Sequence, residues 1–221
     1  VKRKVVILCV FVVCISLFLT GGKPKLISED EAKKAGLAFI NHVFDLNVTE
    51  VTVTKSVKAG ATYVDGEYKE TGNEQHITFY AVATPPDQYG LSDYMAFVNA
   101  ETGVAYFAEK SYSLVPKMTS EQYKKWKKAY GSGDAQTADF GNLINDCYVY
   151  GREWIAEKFD LQAGILGSVD SGSIFDDNGG SSNFYIVIRD GSIYHMTVAW
   201  PQMIVMEVTI LNQTRPTGDL P

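Results

Sequence analysis

The sequence predicts an α+β protein made of two repeats of a helix packed on an antiparallel β-meander, placed after an apolar N-terminal segment. Three observations carry that prediction. Apolar residues recur at three- and four-residue steps from Ala32 to Phe44 and again from Phe140 to Phe159, as one face of a helix requires. Each stretch is followed by short runs rich in Val, Ile, Tyr and Phe, separated by Gly, Pro and Asn turns. The two helix exits also read alike, FINHVFDL over 39–46 and WIAEKFDL over 154–161, at a spacing of about 115 residues. A duplication explains the likeness; two unrelated α+β halves sharing a tripeptide at a helix-to-strand junction would explain it too.

The chain opens on Val-Lys-Arg-Lys and runs apolar from Val5 to Leu19, broken only by Cys9, Cys14 and Ser16. A basic cluster ahead of an apolar run of about 15 residues has the build of a signal peptide, and the run is short for a comfortable membrane span. Residues 1–22 are therefore expected to be a signal peptide or a membrane anchor. Thr20 and Gly22 are small enough for the −3 and −1 positions of a cleavage site, and both cleavage and retention stay open. Val13 ahead of Cys14 disfavours lipidation. The N-terminal positive charges place Gly22 onward outside the cytoplasm, so the chain is expected to be extracytoplasmic, secreted or held at the cell membrane. Taking Lys2, Arg3 and Lys4 from the net charge of −6 leaves −9 on the rest, which makes nucleic acid an unsuitable partner. Past that segment Cys147 is the single cysteine, so no intrachain disulfide can form there and stability must come from an apolar core.

The first repeat is expected over 27–112. Ser28 and Glu31 spell a capping box that starts a helix, with Ala32, Ala35, Phe39, Ile40 and Val43 on its apolar stripe. Alternation at Val51, Val53 and Val57 marks a strand, and the polar stretch from Gly60 to Gln75 is a long hairpin connection or an insertion. Strands follow at 76–84, 94–98 and 104–108, the last two joined by a turn over 99–103. A connector helix and linker occupy 117–138: Thr119 and Gln122 form a second cap, and Tyr123, Trp126 and Tyr130 share a side with lysines around the rest. The second repeat is expected over 139–212. Leu143, Ile144, Cys147, Tyr150, Trp154, Ile155 and Phe159 define its helix, weakened by Gly151. Its strands lie at 165–175, 184–189, 193–200 and 203–211, with Asp190-Gly191 as a two-residue turn. Residues 213–221 read as a flexible tail.

The first half resembles the PepSY domain, a small extracytoplasmic module of bacterial proteins. The resemblance rests on Ile27-Ser28-Glu29-Asp30-Glu31-Ala32-Lys33-Lys34-Ala35 and on Phe97-Val98-Asn99-Ala100-Glu101-Thr102-Gly103-Val104, where the family pattern is close to V-D-A-x-T-G-x-V. Ser28, Glu31, Asn99, Thr102 and Gly103 are its structural residues. Asn99 stands in place of the usual Asp, and either side chain can bond a turn amide two residues on. The match covers about 27–108; the second half has neither motif and is a diverged copy or another cystatin-like domain. The resemblance implies a PepSY/cystatin-like fold and a non-catalytic regulator, of the kind that inhibits peptidases or controls cell-wall hydrolases.

Residue chemistry adds no catalytic, cofactor or metal site to that expectation. His42, His76 and His195 fall on a helix, a strand start and a strand, outside any H-x-x-H or C-x-x-C spacing. Lone histidines on strands are more often structural than catalytic, and Cys147 sits on an apolar stripe, where a thiol behaves as a small hydrophobe. The run Asp176-Asp177-Asn178-Gly179-Gly180 has oxygen ligands beside glycines but lacks the spaced carboxylates of a calcium loop, and a plain turn is the better reading. Tyr123, Lys124, Trp126 and Lys127 are the candidate contact residues for a partner or an anionic surface; the competing reading is a connector helix with its aromatics packed inside. The expected role is binding or regulation of an envelope protein, possible partners being a peptidase or wall hydrolase. The alternatives are an enzyme with an unrecognised site, marked by a His-acid pair or converging carboxylates, and a passive ligand-binding protein of the envelope.

Overall fold

The computed structural model describes residues 25–58, 62–64, 67–69, 77–130, 138–161, 164–176 and 179–211. The apolar segment 1–22, His76, Asp177, Asn178, most of the linker and the tail lie outside the described residues. Among the described residues no helix is long and apolar enough to cross a membrane.

Helix α1 (Glu29–Phe44) leads into β1 (Thr52–Lys58), a short β2 (Thr62–Val64) and β3 (Glu67–Lys69) pair, then β4 (Ile77–Ala83), β5 (Tyr94–Asn99) and β6 (Ala105–Lys110). A single 3-10 turn (Tyr112–Leu114) and α2 (Ser120–Tyr130) connect to α3 (Ala138–Lys158), β7 (Ile165–Asp176), β8 (Gly179–Ile188), β9 (Ile193–Trp200) and β10 (Ile204–Leu211). The polar stretch after β1 thus carries the small β2–β3 hairpin. The fold is α+β, and each half has a helix followed by an antiparallel meander.

The sequence did not reveal that the two meanders form one sheet. Its order is β1-β4-β5-β6-β10-β9-β8-β7, antiparallel throughout, so the last strands of the two halves pair along a central seam. Ala108 stands opposite Val208 there, flanked by Glu109 opposite Glu207 and Phe107 opposite Thr209. One buried cluster runs through both halves. Joining the final strands removes two edges that would otherwise expose their backbone groups and the apolar sides of Ala105, Ala108, Val208 and Ile210.

Both helices cover the same face. One row across the sheet reads Val82, Ala96, Ala108, Val208, Met196 and Phe184, all fully buried. Gly36 of α1 lies on Val82 and Gly151 of α3 lies on Phe184, so each helix meets the sheet through a glycine. A Cβ at either position would stand 2.6 Å from Val82 or 2.4 Å from Phe184, which is why the glycine expected to weaken α3 is the residue that lets it dock. Ala32 and Cys147, Gly36 and Gly151, and Ile40 and Ile155 form buried pairs at the same spacing of about 115 residues as the helix exits.

The repeated Phe-Asp-Leu is a helix stop. Asp45 and Asp160 take left-handed backbone angles, φ 54° and 51°. The N–H of Leu46 then donates to the Asn41 carbonyl, and that of Leu161 to the Ala156 carbonyl, each at 3.0 Å. This is the Schellman arrangement, with Leu46 and Leu161 folding back on the core. The two stops also touch: His42 Nε2–H donates to the Lys158 carbonyl at 2.8 Å, Lys158 pairs with Asp45, and the His42 ring stands edge-on to Phe159.

Candidate functional site on the uncovered sheet face

An antiparallel sheet covered on one side presents every second residue of each strand on the other. Here the neighbouring cross-sheet row reads Thr54, Ala81, Phe97, Phe107, Thr209, His195, Tyr185 and Val169. After Thr54 its first half is apolar: Phe97 stacks on Phe107 at 4.5 Å and lies 4.7 Å from Phe79. Its second half is polar and aromatic, with the Tyr185 ring 4.9 Å from the His195 ring. Beside the row, a groove of about 520 Å³ crosses the seam, lined among others by Leu91, Met95, Glu109, Tyr112, Met206 and Glu207. Leu91 and Tyr112 are both more than half exposed on its rim. Burial, and then the facing Glu207, push the Glu109 carboxyl above its usual range.

Across the seam from the phenylalanines, three polar side chains converge. His195 Nδ1 is 3.3 Å from Glu207 Oε1, and His195 Nε2 is 3.2 Å from Ser171 Oγ. Thr209 Oγ1 donates to the same Glu207 oxygen at 3.2 Å. His195, read from the sequence as a lone strand histidine, thus has an acid beside one ring nitrogen and a hydroxyl beside the other. Neither Ser171 nor Glu207 stood out in the sequence, because strand bulges bring them there. Asp170 pairs with Phe184 and Gly172 with Asn183, which makes Ser171 the extra residue of β7. Val205 pairs with Val198 and Glu207 with Thr197, which makes Met206 the extra residue of β10. In an unbulged ladder Met206 would pair with Thr197 and Glu207 with Met196, which would turn Glu207 toward the helix-side core.

The residues carrying the family resemblance come together, with structural roles. Ser28 Oγ accepts from the Glu31 N–H at 3.2 Å, and the Glu31 carboxylate accepts from the Ser28 N–H at 2.8 Å, which holds that carboxyl below its usual range. Asn99 Oδ1 accepts from the N–H groups of Glu101 and Thr102, the Thr102 hydroxyl from that of Val104, and Gly103 adopts φ 74°. The Ile27 N–H donates to the Ala100 carbonyl at 2.8 Å, so the two motif segments form one corner.

Thr119 and Gln122 cap α2 reciprocally. Trp126 is 1 % exposed and packs 5.3 Å from Trp200, so it is an anchor of α2 in the core and not a surface contact. This removes Trp126 from the envisaged anionic-surface site and agrees with the connector-helix reading for that residue. Tyr123, with Lys127 over its ring at 5.8 Å, and Lys124 remain exposed. Cys147 is fully buried, its thiol pushed up to about 12 by burial. Asp176 pairs with Gly179 in the β7–β8 ladder, and Asp177 and Asn178 of the acidic run lie outside the described residues. Among the described residues no group of three or more His, Cys, Asp or Glu is placed to hold a metal ion.

No family model and no curated protein matches the sequence. Among solved structures, the Bacillus megaterium YpeB C-terminal domain matches at 13% identity over 89% of this chain and 70% of that one, with a TM-score of 0.39.

Proposed function

We propose that the chain is an extracytoplasmic binding and regulatory module, non-catalytic toward its partner, that docks a protein of the cell envelope on its uncovered sheet face. The observation that carries this reading is that, among the described residues, α1 and α3 cover one face of the sheet while the opposite face offers Phe79, Phe97 and Phe107 beside a groove. A solvated sheet face ordinarily alternates to polar residues, and a contiguous aromatic patch rimmed by carboxylates is the composition of a contact surface. The resemblance of 27–108 to PepSY modules supports a peptidase or wall hydrolase as the partner. The basic and apolar pattern of residues 1–22 supports export. The matching helix glycines and helix stops support a duplication behind the two halves.

The test is capture from an envelope extract by the immobilised wild type and by a Phe97→Ser/Phe107→Ser variant of matched folding. The reading expects one partner retained by the wild type and lost by the variant. Equal capture by both proteins would move the contact elsewhere. N-terminal sequencing of the mature protein separates the two export outcomes: a start near Lys23 means release, and retention of Val5 to Leu19 means an anchor.

A further inference from the structure

The polar half of the uncovered face has an arrangement that docking does not need. Ser171, His195 and Glu207 arrive from β7, β9 and β10, with contacts of 3.2 Å and 3.3 Å on the two imidazole nitrogens. We propose that they form an acyl-accepting site for carboxylic esters, with Ser171 as nucleophile, His195 as general base and Glu207 as the positioning residue. This goes beyond the docking role and does not depend on it.

The geometry assigns each role. The Glu207 carboxylate accepts from Nδ1–H, which favours the tautomer leaving the Nε2 lone pair toward the Ser171 hydroxyl. Thr209 Oγ1 fixes the same carboxylate oxygen, and Tyr185 flanks the ring, so the base is held from two sides. Ser171 is exposed at a bulge, and its neighbour Gly172, at φ 131°, adds no side chain beside it. Two bulges are thus spent on aiming two of the three groups at one imidazole, the use to which bulges near reactive sites are put.

In the reaction, Ser171 Oγ bonds to the ester carbonyl carbon while its proton passes to His195 Nε2. The bond to the alcohol oxygen then breaks, and the leaving alcohol takes that proton, so Ser171 carries the acyl group. Water attacks the acyl-serine carbon, gives a proton to Nε2, and the carboxylic acid leaves as Oγ recovers it. Val169, 59 % exposed and opposite Tyr185, gives an aliphatic acyl chain an apolar surface, and the open face suits esters displayed on an extended chain.

A fluorophosphonate probe on the whole protein, read by intact mass and peptide mapping, tests the proposal. One adduct on Ser171 is expected, absent in Ser171→Ala and unaffected in Ser173→Ala. Labelling should slow by about 100-fold in His195→Ala, the scale of general-base assistance. Glu207→Gln should slow it too, with Glu207→Asp recovering part of the rate. No adduct on the wild type, an adduct that survives Ser171→Ala, or a rate indifferent to His195→Ala would overturn the proposal and leave the docking role standing. Partner capture that fails while Ser171 still labels would sink the docking role alone.

Discussion

Replacing Gly151 by alanine would put a methyl carbon where Phe184 already stands. The added Cβ would lie 2.4 Å from Phe184 Cζ and 2.8 Å from Cε2. Carbon atoms sit best at about 3.5–4.0 Å, so the ring or the helix must retreat by roughly 1 Å. Phe184 is fully buried against Met196 and Tyr148, which leaves it little room to move. Overpacking of this kind costs about 1–3 kcal/mol, and the better helix propensity of alanine returns up to about 1 kcal/mol. The expected net loss is about 1–2 kcal/mol. Gly141 is the control within the same helix, because a Cβ there meets nothing within 4 Å and the substitution should be neutral or stabilising. Urea unfolding of the two variants should therefore give midpoints separated by roughly 1 M, for a slope of about 2 kcal/mol/M. Shortening Phe184 to leucine should cost less in the Gly151→Ala background than in the wild type. A Gly151→Ala protein as stable as Gly141→Ala would refute the close helix-to-sheet approach.

Other consequences can be checked on the same protein. Ser28→Ala removes the acceptor for the Glu31 N–H and should cost about 1 kcal/mol in urea unfolding, with Ser28→Asp restoring most of it. The buried Cys147 thiol should resist iodoacetamide at neutral pH and react once urea unfolds the chain; rapid labelling of the folded protein would contradict its burial. Glu109 has a raised folded pKa, so its contribution is most favourable below its usual value of 4.5 and is lost as pH rises through the folded pKa. Glu109→Gln should thus stabilise the protein at pH 7 by roughly 0.5 kcal/mol, after allowance for solvent screening, and by less near pH 4. A gain that grew toward acid would reverse the assignment.

The helices, their caps and nearly all the sheet strands were legible because each depends on local chemistry. Ser28 with Glu31, Thr119 with Gln122, and the alternation in β9 need only neighbours a few residues away. The seam was not legible, since nothing near Glu207 or Glu109 reveals that their strands pair across about 100 positions of chain. Gly36 was missed because a stripe of apolar residues hides a small one, and only the approach of Val82 shows why it is small. The Ser171–His195–Glu207 contact depends on two one-residue register shifts, and a period-2 reading of β7 and β10 has no way to place them. Trp126 stood among four lysines, a context that suits a surface aromatic as well as the buried one it is.

Site-resolved crosslinking tests the uncovered face most directly. p-Benzoylphenylalanine in place of Phe107 or Val169 puts a photoreactive group on that face, and the same group in place of Lys34 puts it on the outer side of α1. Irradiated in the envelope fraction, the first two positions are expected to join the same partner protein and the third to join none. Crosslinks to a partner from Lys34 with none from Phe107 or Val169 would contradict the account.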